Sequence, residues 1–214
     1  MTARSRRTNP YSEVWGYFQN ATREHELTVI QEDGVYRHLR MGKPDTRVWS
    51  WEIITWPGHL TITGDVGDGF TFARTHDMFD FFDESGYDDY YGDGSPFINP
   101  GYWAEKLGHA QRGTEKNYSE DVFIDSVRQT LEDVRDCNNP DLDINDYIDQ
   151  ARSCADNEHE ARDWARSHTY TLGSDFFWET DFSAFSEQYL IACYAIATTV
   201  RHYKQRDHRP GAIS

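Results

Sequence analysis

Trp56-Pro57-Gly58-His59-Leu60-Thr61-Ile62-Thr63-Gly64-Asp65 decides how the first part of this chain is read. Pro57-Gly58 is turn chemistry, because proline fixes φ at the second position of a turn and glycine accepts the positive φ at the third. After it, Leu60 and Ile62 alternate with Thr61 and Thr63, the period-two pattern of a half-buried strand, and Gly64-Asp65 ends the run. Working backwards, strand-like patterning covers residues 48–55, 35–40 and 26–31, and forwards it covers residues 70–73. Glu32-Asp33-Gly34, Met41-Gly42-Lys43-Pro44 and Gly64-Asp65-Val66-Gly67 separate these runs with residues that reverse a chain. Five short strands joined by turns predict an antiparallel meander over about residues 25–74, with Leu27, Val29, Ile53, Leu60, Ile62 and Phe72 lining its faces.

Around this meander the spacing is helical. Residues 12–22 predict a first helix with Ser12 as N-cap and Val14, Trp15 and Phe18 on one face. From Thr75 onward Met78, Phe79 and Phe82 fall on one side, and Asp77, Asp80 and Asp83 on the other. Residues 84–100, rich in Gly, Asp, Tyr and Pro, read as a long ordered loop. Further helices are expected over residues 102–108, over 120–137 between a Ser119 cap and an Asn138-Asn139-Pro140 stop, from Asp143 or Asn145 to about 155, and over 158–168. The last, over residues 183–204, is apolar nearly all round through its middle. The fold class is therefore α+β, an N-terminal antiparallel meander packed against a C-terminal helical layer. No linker-like stretch divides residues 11–214, so one domain is expected: the sheet, an acidic helix and loop over 75–100, and helices over 101–205. A basic, disordered tail is expected over residues 1–10.

Charge narrows the partners. The 214 residues carry 37 Asp and Glu against 21 Lys and Arg, a formal charge of -16. Such a molecule repels phosphate backbones, which argues against direct nucleic-acid binding and against an anionic membrane. Its longest apolar run, residues 189–197, is about half of a bilayer span. Arg4, Arg6 and Arg7 are followed by no apolar run, and Cys137, Cys154 and Cys193 form no CxxC, so a reducing cytoplasm is the expected compartment.

One interval stands out for chemistry. No Lys or Arg occurs between Arg74 and Lys106, whereas Asp77, Asp80, Asp83, Glu84, Asp88, Asp89, Asp93 and Glu105 all do, interleaved with Phe79, Tyr90, Tyr91 and other aromatics. This pattern predicts an acidic, aromatic surface for a partner with a basic groove, using Asp77, Asp80, Asp83, Glu84, Asp88, Asp89, Tyr90, Tyr91 and Asp93, and extended by residues 132–160. The bland alternative is a solvated helix face with the aromatics in the core. Asp83, Asp88, Asp89 and Asp93 are also close enough in sequence to converge on a divalent cation, with Asp88, Asp89 and Asp93 as the candidate ligands; no other cofactor is expected. A metal-dependent hydrolase or nuclease would add Asp65 and Asp68. Asp141 to Asn145 begins like a calcium loop, but Asp146 and Arg152 stand where glycine and glutamate are required, so it reads as a helix cap. His159, Glu160, Asp163 and His168 depart from metalloprotease spacing, and His59-Leu60-Thr61 is half of a two-histidine phosphodiesterase pattern whose second half is missing. No P-loop, dinucleotide fingerprint or nucleophile elbow is present, which leaves no catalytic signature.

Four stretches taken together carry a resemblance: residues 56–65, Phe72-Ala73-Arg74, Asp77-Met78-Phe79 with Phe81-Phe82, and Ile98-Asn99-Pro100-Gly101-Tyr102-Trp103-Ala104-Glu105-Lys106-Leu107. Over residues 48–107 the chain resembles a family of uncharacterised tailed-phage and prophage proteins, from which Val66 and the extra Asp68-Gly69 depart. The resemblance implies an accessory product made inside an infected bacterium and implies no catalytic residue. Its expected role is binding a host nucleic-acid-handling or defence protein as an inhibitor that mimics nucleic acid, with a virion or assembly component as an alternative.

Overall fold

The structure is a computed structural model and describes residues 7–67, 69–87 and 90–207, without the side chains of residues 138 and 207. The chain is α+β. Its elements are α1 (Ser12–Thr22), β1 (Glu26–Asp33), β2 (Tyr36–Gly42), β3 (Trp51–Trp56), β4 (His59–Gly64), β5 (Thr71–Ala73), α2 (Met78–Phe81) and α3 (Pro100–Ala104). They continue with β6 (Lys116–Tyr118), α4 (Glu120–Asn138), α5 (Ile144–Arg152), α6 (Glu158–Ser167), α7 (Thr169–Leu172), α8 (Phe176–Glu179), β7 (Ser183–Phe185) and α9 (Glu187–Asp207). The chain forms two compact units. The sheet unit comprises the residues up to Glu115 and those from Ser186; the insert unit is Lys116–Phe185. Within the insert unit β6 and β7 pair with each other, and within the sheet unit the Ser186 N–H donates to the Glu115 carbonyl at 2.8 Å.

In the sheet unit the strands lie in the order β1-β2-β3-β4-β5, every neighbouring pair antiparallel. The β3–β4 reversal is the Pro57-Gly58 turn, with Gly58 at φ 78° and the Trp56 and His59 rings stacked 5.0 Å apart at 6°. His59 is structural, its Nδ1 lying 3.0 Å from the Pro57 carbonyl. Gly64 is required by a close approach: its φ is 118°, and a Cβ there would stand 2.6 Å from the Ser50 carbonyl oxygen. The third strand starts later than its pattern suggests. Val48 and Trp49 belong to a turn in which Trp49 takes φ 60°, its N–H donating to the Asp65 carboxylate at 2.9 Å. Leu39, Met41, Trp51, Ile53, Leu60, Ile62 and Phe72 are buried, and α9 packs on β1 and β3 beside α1. The Trp51 indole N–H reaches the Thr199 hydroxyl at 2.9 Å. Ser12 does not cap α1; the N-cap position is Tyr11, whose N–H donates to the Asn9 Oδ1 at 2.9 Å. Asn9 is buried and bonded to Ser95 and Tyr194, so the expected disordered tail stops short of it, while residues 1–6 lie outside the described residues.

In the insert unit α4, α5 and α6 start on capping side chains: Ser119, Asp143 and Asn157 accept the N–H groups of Val122, of Asn145 and Asp146, and of Glu160. Their apolar faces meet around Phe123, Val127, Leu131, Ile148, Trp164 and Phe182. Residues 183–185, expected as the start of the last helix, are instead β7, and the chain turns helical only after Ser186.

Gly64→Ala is expected to lower the urea-unfolding free energy by about 3 kcal/mol, since it combines a left-handed φ with a backbone clash. Gly86→Ala, whose added Cβ meets nothing within 4 Å, is expected to stay within about 0.5 kcal/mol of the parent.

Candidate partner-binding surface

The acidic interval acquires its missing counter-charges from elsewhere in the sheet unit. Asp77 caps α2 by accepting the Phe79 N–H at 2.9 Å, and its two oxygens receive the Arg37 guanidinium at 2.9 and 2.7 Å. Arg37, buried on β2, also lies 4.7 Å over the Phe79 ring and 5.2 Å over the Tyr203 ring. Tyr203 accepts from Arg37 and donates to Glu32, which Arg206 pairs at 2.9 Å. Asp83 pairs with Lys204, and Asp80 stands 3.6 Å from the same ammonium with its side chain 75% exposed. Asp93 accepts the Ser95 N–H at 2.9 Å and the Asn9 amide at 3.1 Å. Tyr87, Tyr90 and Tyr91 fold onto Phe97, with ring centroids 4.7, 5.2 and 6.0 Å from it. Asp88 and Asp89 lie outside the described residues.

These geometries sort the carboxylates. Burial pushes the Asp77 and Asp83 carboxyls up, but the Arg37 fork and the Phe79 N–H at Asp77, and Lys204 at Asp83, outweigh it and hold both below the ordinary range. Glu84 goes the other way, raised by burial and then by the neighbouring Asp83 charge. It lines a cleft of about 520 Å³ walled by Phe82, Pro96, Ala197 and Val200. Asp77, Asp83 and Asp93 therefore hold the fold, which leaves Asp80, Glu84 and Glu105 as the described carboxylates of the interval still facing outward or into a cleft.

The larger concentration of charge lies in the insert unit. Its 70 residues contain 17 Asp and Glu against six Lys and Arg, a formal -11, whereas the other 144 residues hold 20 against 15, or -5. Four of its six cations sit in ion pairs within the unit: Lys116 with Asp181, Arg135 with Asp136, Arg162 with Glu158, and Arg166 with Asp163. The unit also carries the two most exposed large hydrophobic side chains of the described residues, Tyr170 at 102% on α7 and Trp178 at 76% on α8. Sequence patterning missed both because a four-residue helix is too short to show a period; the signal available was a Trp and a Tyr in segments without apolar spacing.

Among the described residues no group of three or more His, Cys, Asp or Glu is placed to hold a metal ion. His159 and Asp163 approach to 3.6 Å as an i,i+4 pair, and His168 hydrogen-bonds the Trp164 carbonyl. Burial pushes the Cys193 thiol up, which suits a core residue rather than a nucleophile. No described helix is long and apolar enough to cross a membrane. Against known proteins, no family model, no curated protein and no solved structure matches the chain.

A carboxyl whose folded pKa is depressed contributes stability above its unfolded pKa, roughly 4, and loses that contribution as pH falls through the folded value. Asp77→Asn is accordingly expected to cost about 2–3 kcal/mol at pH 7, discounted for the partial exposure of the pair, and progressively less towards pH 3. Urea midpoints across that range measure it; a cost independent of pH would contradict the ion-pair assignment.

Proposed function

We propose that this protein acts by binding a basic partner protein through the acidic surface of its insert unit, with Trp178 and Tyr170 as apolar anchors. The observation that carries the reading is their coincidence: a formal -11 within Lys116–Phe185 and, on the same unit, a tryptophan and a tyrosine left open to water. Excess carboxylates steer a cationic surface into encounter, and exposed Trp and Tyr supply the desolvated contact area that dominates binding energy. The phage resemblance of residues 48–107 supplies a setting, in which the partner is a host nucleic-acid-handling or defence protein whose phosphate-binding groove the carboxylates occupy, in the host cytoplasm. The sheet unit by itself offers Asp80 and Glu84 as a secondary acidic surface, with Asp88 and Asp89 outside the described residues. The metal-hydrolase alternative is less favoured, because Asp65 holds the Trp49 N–H and Asp93 holds Ser95 and Asn9, while its other candidates, Asp68, Asp88 and Asp89, lie outside the described residues.

Affinity capture from infected cells, followed by binding measurements on the purified basic partner, tests the reading. Affinity is expected to fall about tenfold or more between 50 and 300 mM salt. Trp178→Ala and Tyr170→Ala are each expected to weaken it by about tenfold, against less than about threefold for Asp80→Asn with Glu84→Gln. Binding indifferent to salt and to both aromatic variants would overturn it.

A further inference from the structure

The cleft beside α9 carries one charge that no described residue answers. It measures about 520 Å³, belongs wholly to the sheet unit and lies between α9 and the segment that follows α2. Its apolar walls are Phe82, Pro96, Ala197 and Val200, the last two on one face of α9. Among the described residues four charged side chains also line it: Asp83 and Glu84 after α2, and Arg201 and Lys204 on α9. Three of them are engaged. Lys204 Nζ donates to Asp83 at 2.5 Å, Asp83 also accepts the Ser85 N–H at 3.1 Å, and Arg201 Nη1 donates to the Gly94 carbonyl at 3.4 Å. The Glu84 carboxylate takes part in no hydrogen bond or ion pair among the described residues.

That carboxylate is within reach of a guest. Among the described residues the side-chain atoms both enclosed and unpartnered are Trp15 Nε1, His25 Nδ1 and Thr198 Oγ1, so the unpartnered Glu84 oxygens are accessible. Burial, and then the neighbouring Asp83 charge, disfavour the Glu84 anion and raise its pKa, and neither cation of α9 offsets them. A bound cation answers both penalties by supplying the missing counter-charge. The rest of the lining narrows the guest further. An anion finds Arg201 and Lys204 already supplied with acceptors. A bare metal ion finds no group of three His, Cys, Asp or Glu placed to hold it among the described residues. One unanswered carboxylate matches one positive charge, and apolar walls in a cleft of this size match a hydrocarbon body rather than a chain of further charges.

We propose that this cleft binds a lipophilic monoamine, its single ammonium paired with the Glu84 carboxylate and its hydrocarbon body lying against Phe82, Pro96, Ala197 and Val200. The ammonium N–H donates to Glu84 in a charge-assisted hydrogen bond, made where water is partly excluded and the attraction is stronger than in open solvent. The site belongs to the sheet unit alone and stands whether or not the insert unit binds a basic partner.

The probe is 2-phenylethylamine, titrated into the full-length, isotope-labelled protein and followed by NMR. Three controls separate the parts of the account: 2-phenylethanol keeps the body without the charge, 3-phenylpropanoate reverses the charge, and ethylamine keeps the charge without the body. The expected result is saturable, millimolar or tighter binding of 2-phenylethylamine, with resonance shifts confined to Ala197, Val200 and their neighbours across the cleft. Each control is expected to bind about fivefold or more weakly. Glu84→Gln keeps the shape of a half-buried side chain that makes no bond within the described protein, so it is expected to fold normally and to weaken the amine about tenfold, leaving 2-phenylethanol unchanged. Asp80→Asn, which removes a largely exposed carboxylate not among the cleft's lining, is expected to leave the amine within about twofold. The proposal is overturned by any of three results: no saturable binding of the amine up to about 10 mM, 2-phenylethanol or 3-phenylpropanoate binding as tightly as the amine, or equal losses in Glu84→Gln and Asp80→Asn. Shifts in the parent protein that centre away from the cleft would overturn it without recourse to any variant.

Discussion

A helix that is buried on every side has to be enclosed, and α9 imposes that constraint on the sheet unit. Residues 189–197 are buried without interruption, so no face of this stretch is left for water. The sheet covers one side through Trp51 and Thr199, Asn9 reaches Tyr194 from before α1, and Tyr189 donates to the Pro100 carbonyl at 2.9 Å. Each large apolar side chain so enclosed contributes about 1.5–3 kcal/mol. Beyond residue 200 the helix becomes amphipathic, and Tyr203, Lys204 and Arg206 reach Arg37, Asp83 and Glu32. The acidic interval lacks cations in its own sequence, and they come from β2, as Arg37, and from a helix more than a hundred residues later, as Lys204.

The meander was legible because strand period and turn chemistry agreed at each reversal, most plainly from Trp56 to Asp65. Its error, starting β3 at Val48, came from reading apolar content without the Asp65 carboxylate that draws Trp49 into a left-handed turn. Caps at Ser119 and Asp143 were legible from local hydrogen-bonding chemistry. The β6–β7 pair was not, since three residues per strand carry no period and the pairing joins segments 65 or more residues apart.

Site residues divided along the same line. Sequence order located the carboxylates from Asp77 to Asp93 but not their partners, and a carboxylate that neutralises a buried Arg37 is committed to the fold. Charge per unit distributes differently from charge per interval: once the chain is divided at Glu115 and Ser186, most of the net charge belongs to the helical insert. Exposure of Tyr170 and Trp178 depends on how four-residue helices pack, which no sequence period records.

Hydrogen–deuterium exchange of the full chain, free and saturated with its captured basic partner, tests the central claim most directly. The account predicts new protection over α7 and α8 and the acidic helices preceding them. Protection confined to residues 77–93, with Thr169–Leu172 and Phe176–Glu179 exchanging as in the free protein, would contradict it.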